Sequence, residues 1–159
     1  DLWRESQRSS GDPDVNLVIQ NALRTTRLHI SEGSIFSEGW YQKLDDEARE
    51  QYRRSGRTLL QGLISYIHAD GDQAIAEADA IGYEYASRGR RYGLNSVEAT
   101  RALMFFRNML MESMLGVYEA AAVRSPHAWS NMFRKINDFT DEILVTILET
   151  YEAYQKNSR

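Results

Sequence analysis

The chain has 159 residues, 42% of them hydrophobic, which is enough to bury one core without covalent staples, and it contains no cysteine. The lack of cysteine excludes a disulfide framework, a thiolate nucleophile and any Cys-ligated zinc or iron–sulfur centre, and it suits a reducing, cytoplasmic setting. A net charge of −4 with no long basic stripe argues against nucleic-acid binding, and the absence of a run of about 18 apolar residues or of signal-peptide order argues against a membrane span.

Residues 1–11 are polar apart from Leu2 and Trp3. Asp12 and Pro13 then supply a cap and an N1 proline, and Val15, Val18, Ile19, Ala22, Leu23 and Ile30 mark a first helix. A loop over 31–39 holds two glycines, and Trp40, Tyr41 and Leu44 form a short plug over the core. Asp45 and Asp46 place negative charge at the start of a second helix over 47–69, with Tyr52, Leu59, Leu60, Leu63, Ile64 and Ile67 on one side. Asp70 and Gly71 end it. A third helix runs from Asp72 to the basic end Arg88, Arg90 and Arg91, with Gly89 or Gly93 available as its left-handed closing residue. Gly82 lies inside this helix, where glycine costs about 1 kcal/mol against alanine, so a close helix–helix approach is expected there.

The fourth helix, 95–122, opens with Asn95 and Glu98 in capping-box spacing. Leu103, Phe106, Leu110, Met114 and Val117 form its apolar stripe, which Met104, Phe105, Met109, Met111, Leu115 and Tyr118 widen until little polar surface remains. A helix apolar over most of its circumference has neighbours on most sides, so this one is expected at the centre of the fold. Ser125 and Pro126 start a last helix of about thirty residues, roughly 45 Å long at the α-helical rise, and part of it is expected to protrude or pair. With no alternating strand pattern, the fold class is all-α, a globin-like or five-helix bundle with a long C-terminal helix.

Candidate chemistry is sparse. A di-metal site in a bundle needs Glu-x-x-His motifs on facing helices, and the sequence has only the reversed order His29 to Glu32, so no metal site is expected. Haem needs one proximal histidine, and His29, His68 and His127 are the three available. No nucleophile elbow or phosphate-cradling loop is present, and the chain is not expected to be an enzyme. Arg107 shares a helical face with Met104, Met111, Met114 and Tyr118, where its guanidinium needs a partner. That partner is either an acid of the third helix (Glu77, Asp79 or Glu84) or an anionic ligand in a small pocket. The candidate ligand-binding residues are Arg107, Met111, Tyr85, Glu84 and His29. Arg53, Arg54 and Arg57 read as a solvated face, and Arg88, Arg90 and Arg91 as complements of a helix dipole.

A segment running from the Leu-rich end of the second helix through Gly71-Asp72, the cadence from Ala80 to Gly89 and the Phe106, Arg107, Leu110 pattern resembles the N-terminal domains of RsbR-type stress-signalling co-antagonists, the RsbRD N-terminal family. The resemblance implies a globin-like domain without haem or other cofactor, usually a homodimer, placed before an effector such as a STAS or transcription-regulator module. On that basis the whole of 1–159 is expected to be a single sensory domain taken from a longer cytoplasmic signalling protein. It would pass a ligand or partner signal through its last helix, with Ile136, Phe139, Ile143, Ile147, Tyr151 and Tyr154 as the dimer and signalling face. The alternative is a haem- or tetrapyrrole-binding globin-type sensor.

Overall fold

The computed structural model describes residues 33–124 and 126–157, together with Gln20, Asn21 and Arg24, but not the side chains of 114–124, 128 and 129. Among these residues every regular element is helical and there is no strand: a 3-10 turn at Ser34–Ser37, then α1 (Gly39–Gln42), α2 (Asp46–His68), α3 (Gly71–Arg91), α4 (Ser96–Arg124) and α5 (Pro126–Asn157). The chain is thus an all-α helical bundle with a long C-terminal helix. Most of the first helix expected from the sequence lies outside the described residues, although Gln20, Asn21 and Arg24 within it are helical, and the Asn21 amide donates to Ser113 O at 2.8 Å.

Local signals set most boundaries. The Asp45 side chain accepts from the Ala48 amide at 2.8 Å and satisfies a free donor at the start of α2. At α4 the Asn95 Oδ1 accepts from the Glu98 amide at 2.8 Å while Glu98 Oε1 accepts from the Asn95 amide at 3.0 Å, a reciprocal capping box. Glu98 also receives Lys43 Nζ at 3.0 Å, and these bonds hold its carboxyl below the usual glutamate range. The closing residue of α3 is Gly93, at φ +77°, and not Gly89. Its amide donates to Arg90 O at 3.3 Å and the Leu94 amide to Gly89 O at 2.8 Å, the paired bonds of a Schellman turn, with Leu94 buried beneath.

Among the described residues the most extensive contact in the bundle is between α3 and α5. α5 also touches α2 and α4, whereas α4 packs on α1, α3 and α5. Among the described side chains of α4, Ala99, Ala102, Leu103, Phe106, Met109 and Leu110 are buried, but Val97 is 58% exposed and Met104, Phe105 and Met111 are only partly covered. On α5, Ile136, Phe139, Ile143 and Ile147 are fully buried at helical spacing, each contributing about 1.5–3 kcal/mol by leaving water. Tyr151 extends that buried row, so α5 is engaged with its own bundle over most of its length.

The α3–α5 contact is close because α3 presents small residues along one ridge: Ala74, Ala78, Gly82 and Ala86 recur every fourth position and all are buried. A β-carbon on Gly82 would lie 2.6 Å from Thr146 Cβ and 3.1 Å from Ile143 O. Seven residues on, a β-carbon on Gly89 would run into the Tyr151 hydroxyl, which donates to Leu94 O at 2.9 Å. Beside Gly82, Thr146 Oγ1 donates to Asp79 Oδ1 at 2.9 Å. Glu142, one turn back on α5, shares a hydrogen bond with Asp79, and that bond, with desolvation and the nearby Asp79 and Glu149 charges, holds its carboxyl above the ordinary range.

Two consequences can be measured by urea denaturation. Gly82→Ala should destabilise the protein by about 1–3 kcal/mol through overpacking against a backbone oxygen and a branched β-carbon, despite the better helix propensity of alanine. Gly62→Ala on α2, whose new methyl meets mainly the flexible end of Ile81, should stay within about 1 kcal/mol of the parent. For Glu142 the proton shared with Asp79 stabilises the fold below the usual glutamate pKa, and that contribution fades as pH rises through the raised value. Glu142→Gln should therefore raise Tm near pH 7 and leave it unchanged near pH 4; an equal shift at both would remove the shared proton as its cause.

Candidate functional site

Where α1, α2 and α3 meet the base of α5, the bundle buries polar aromatic side chains around one guanidinium. Tyr52 and Ser55 come from α2, Tyr85 and Arg88 from α3, Tyr92 from the turn after it, and Trp40 and Tyr41 from α1. Heptad-like spacing on α2 (Tyr52, Ser55, Leu59) and the i, i+3 step from Tyr85 to Arg88 turn these residues inward together. Tyr85 Oη donates to Ser55 Oγ at 3.1 Å, and Ser55 Oγ donates to Tyr52 O at 2.6 Å. The Trp40 and Tyr52 rings lie 5.3 Å apart, and the Arg88 guanidinium sits 5.7 Å from the Tyr52 ring and 5.6 Å from the Tyr85 ring. Arg88 is anchored to Glu84 at 2.9 Å.

Burial dominates the acid–base character of this cluster. It pushes the Tyr85 phenol up to about 12, although the Ser55 hydrogen bond and the Arg88 charge pull the other way. Tyr52 is raised further, again by burial, with Arg88 opposing and the neighbouring Tyr151, Tyr85 and Tyr92 hydroxyls adding to the rise. Both phenols stay protonated at neutral pH, and Tyr85 donates its proton to Ser55. Several donors have nothing to give to: Tyr52 Oη, Tyr41 Oη, Trp40 Nε1 and Arg88 Nη1 are buried without a hydrogen-bond partner.

The residues nominated from the sequence are scattered. Tyr85 and Glu84 do belong to this cluster, Tyr85 in the core and Glu84 on the rim as partner of Arg88. Arg107 does not: it is half-buried on α4, its Nη2 approaches Asn108 Oδ1 at 3.4 Å, and among the described residues it forms no ion pair with Glu77, Asp79 or Glu84. Glu84 pairs with Arg88 instead, and Asp79 accepts from Thr146. Met111 is partly buried against the core one turn beyond Arg107. His29 lies outside the described residues, and His68 and His127 are exposed at the end of α2 and the start of α5. Ile136, Phe139, Ile143, Ile147 and Tyr151 cover the bundle's own core, and Tyr154 is half-buried with its ring 4.2 Å from the Arg90 guanidinium. Among the described residues, the large apolar side chains that α5 shows to solvent are Phe133, Val145 and Leu148.

Cavities open on the outside among the described residues. One of about 780 Å³ is lined by Glu50, Arg53, Arg54, Arg57, Thr58 and Gln61 of α2, so the arginines read from the sequence as a plain solvated face edge a concavity. A second, about 280 Å³, lies between α2 and α3 at Thr58, Gln61, Gly62, Glu77 and Ile81, where Glu77 Oε2 is buried without a partner. A third, about 350 Å³ and mostly apolar, separates Val97, Thr100, Arg101 and Met104 on α4 from Leu148 on α5. Among the described residues no group of three or more His, Asp or Glu side chains is placed to hold a metal ion, and no helix is long and apolar enough to cross a membrane. Tyr52, Arg88 and Arg53 were missed as site residues because each looked ordinary alone; Tyr85 and Arg88 with Glu84 on one helical face was the signal available.

No protein family, curated protein or solved structure matches this chain.

The two central hydroxyls behave differently when removed. Tyr85→Phe breaks a buried hydrogen bond and should cost about 1 kcal/mol, whereas Tyr52→Phe deletes a hydroxyl without a partner and should be neutral or slightly stabilising. Urea titration of both variants checks this, and a larger loss for Tyr52→Phe would mean that its hydroxyl finds an acceptor in solution.

Proposed function

We propose that the chain is a non-catalytic sensory or regulatory domain, of the kind found before the effector modules of RsbR-type signalling proteins, in which α3 and α5 move as one piece relative to α2. The observation that carries this reading is the contrast between two helix joints. α3 meets α5 through Gly82 and Gly89 with no room for a β-carbon, while α2 meets α3 across a cavity, through the Ile81 side chain and the Tyr85 hydroxyl. A tightly packed joint is displaced as a unit, and a joint with void space and shiftable side chains has more than one accessible packing. A ligand or partner that favours one α2–α3 arrangement would shift the population and carry α5 with it, toward an effector in the same polypeptide.

In this reading the domain pairs with a second copy, and the surface offered for pairing is the wet apolar strip of Val97, Met104, Val145 and Leu148. The buried α5 row named from the sequence would have to leave its own core to serve as that surface. The cytoplasmic setting belongs to the same proposal. Haem would require a histidine facing a pocket, and His68 and His127 are exposed.

Native-state amide hydrogen exchange tests the mechanism: α3 and α5 should open together at the highest free energy, and α2 should open separately and more readily. If α5 amides exchange before those of α2, the rigid α3–α5 unit is wrong. Light scattering tests the pairing: the parent should run as a dimer and Leu148→Glu should shift it to monomer. A Soret band on adding haemin would favour the tetrapyrrole-sensor alternative.

A further inference from the structure

A concavity of about 780 Å³ lies over one side of α2, and its lining is chemically lopsided. Three guanidiniums face it, those of Arg53, Arg54 and Arg57, against the single carboxylate of Glu50. That carboxylate is already divided, with one oxygen 2.9 Å from Arg53 Nη2 and the other 3.2 Å from Arg54 Nε. Arg57 has no ion-pair partner among the described residues, so the lining holds two positive charges in excess. Arg53 contributes a second observation. Its side chain is 37% exposed, yet its Nε is shut off from water and has no acceptor. A guanidinium N–H deprived of both water and protein acceptor is a position where an acceptor is missing. The described lining of this open space is one face of α2, where Thr58 and Gln61 add neutral donors and acceptors at its far end.

We propose that this concavity binds a small molecule carrying a multiply charged oxyanion, a phosphate or polycarboxylate group, held by Arg53 and Arg57 with Arg54 and Thr58 at its edges. Arginine suits this task because its planar fork of N–H donors matches paired anionic oxygens and keeps its charge at every physiological pH. Arg57 is one helical turn beyond Arg53 and points to the same side, so one anion can bridge them. Glu50 acts as the internal competitor: it occupies Arg53 and Arg54 while the site is empty and sets how strongly an anion must bind to displace it. Thr58 and Gln61 also line the smaller void between α2 and α3, so an occupant reaching that end would bear on the flexible joint. The consequence for signalling rests on the regulatory reading; binding does not.

Isothermal titration at constant ionic strength, with pyrophosphate and citrate as the two probes, tests this. Saturable binding of one or both is expected, at least tenfold weaker in Arg57→Gln and Arg53→Gln, tighter in Glu50→Gln, and unchanged in Arg134→Gln, which removes the same charge from an exposed position on α5. Arg57→Lys, which keeps the charge but loses the fork, should bind more weakly than the parent. The two probes separate phosphate from carboxylate recognition. No saturable binding by either, or an equal loss in Arg134→Gln, overturns the proposal. Arg57 is exposed, so its variants should keep the parent's circular dichroism and Tm. Binding with no change in α3 and α5 hydrogen exchange would leave this site standing and remove the regulatory reading instead.

Discussion

The bundle depends on the absence of a methyl group at Gly82. With a hydrogen there, the α3 backbone approaches α5 until Thr146 and the Ile143 carbonyl sit directly against it, and the other elements take their places around that pair. The approach aligns Ala78 and Ala86 with the buried row of α5, brings Thr146 Oγ1 to Asp79, and lets the Tyr151 hydroxyl cross over Gly89 to the carbonyl of Leu94. The last of these bonds joins the end of α5 to the turn that closes α3. A glycine in mid-helix weakens that helix in isolation, and here the compensation is packing that no larger residue permits.

Around this pair the aromatic residues form a polar shell inside the core. Tyr52, Tyr85, Trp40 and Tyr41 each bring a donor into a region that excludes water, but only Tyr85 finds a side-chain acceptor there. Arg88 lies over two of these rings with its charge answered by Glu84, which is how a guanidinium can be placed so deep. Unmade hydrogen bonds in a dry region weigh against the packing that surrounds them, so this part of the fold should relax more easily than the α3–α5 contact.

The two kinds of joint divide the molecule's tasks. Where helices meet through backbone and β-carbons, the geometry has one solution and motion is shared. Where they meet through side-chain ends and void space, several solutions lie close in energy. α2 carries the arginine-lined concavity and the void against α3, whereas α3 and α5 meet at Gly82 without a gap, so a binding event and a transmitted movement can involve different helices of one small bundle.

Much of the secondary structure was legible in the sequence because the relevant physics is local. Capping residues at Asp45 and Asn95, a proline at 126, and apolar side chains at helical spacing act on their own segment, and so the boundaries of α2 to α5 followed from them. The close approach at Gly82 was legible too, since an interior glycine asks for a compensating contact. Which helix supplies that contact was not, because width of apolar surface counts potential neighbours without naming them. The site was less readable still. Arg107 looked like the charge in need of a partner, but only the tertiary structure showed that Glu84 belongs to Arg88, that Asp79 belongs to Thr146, and that three arginines on an apparently solvated face border a cavity. Pairing and enclosure depend on what distant segments bring to the same place, and no single stretch of the chain carries that information.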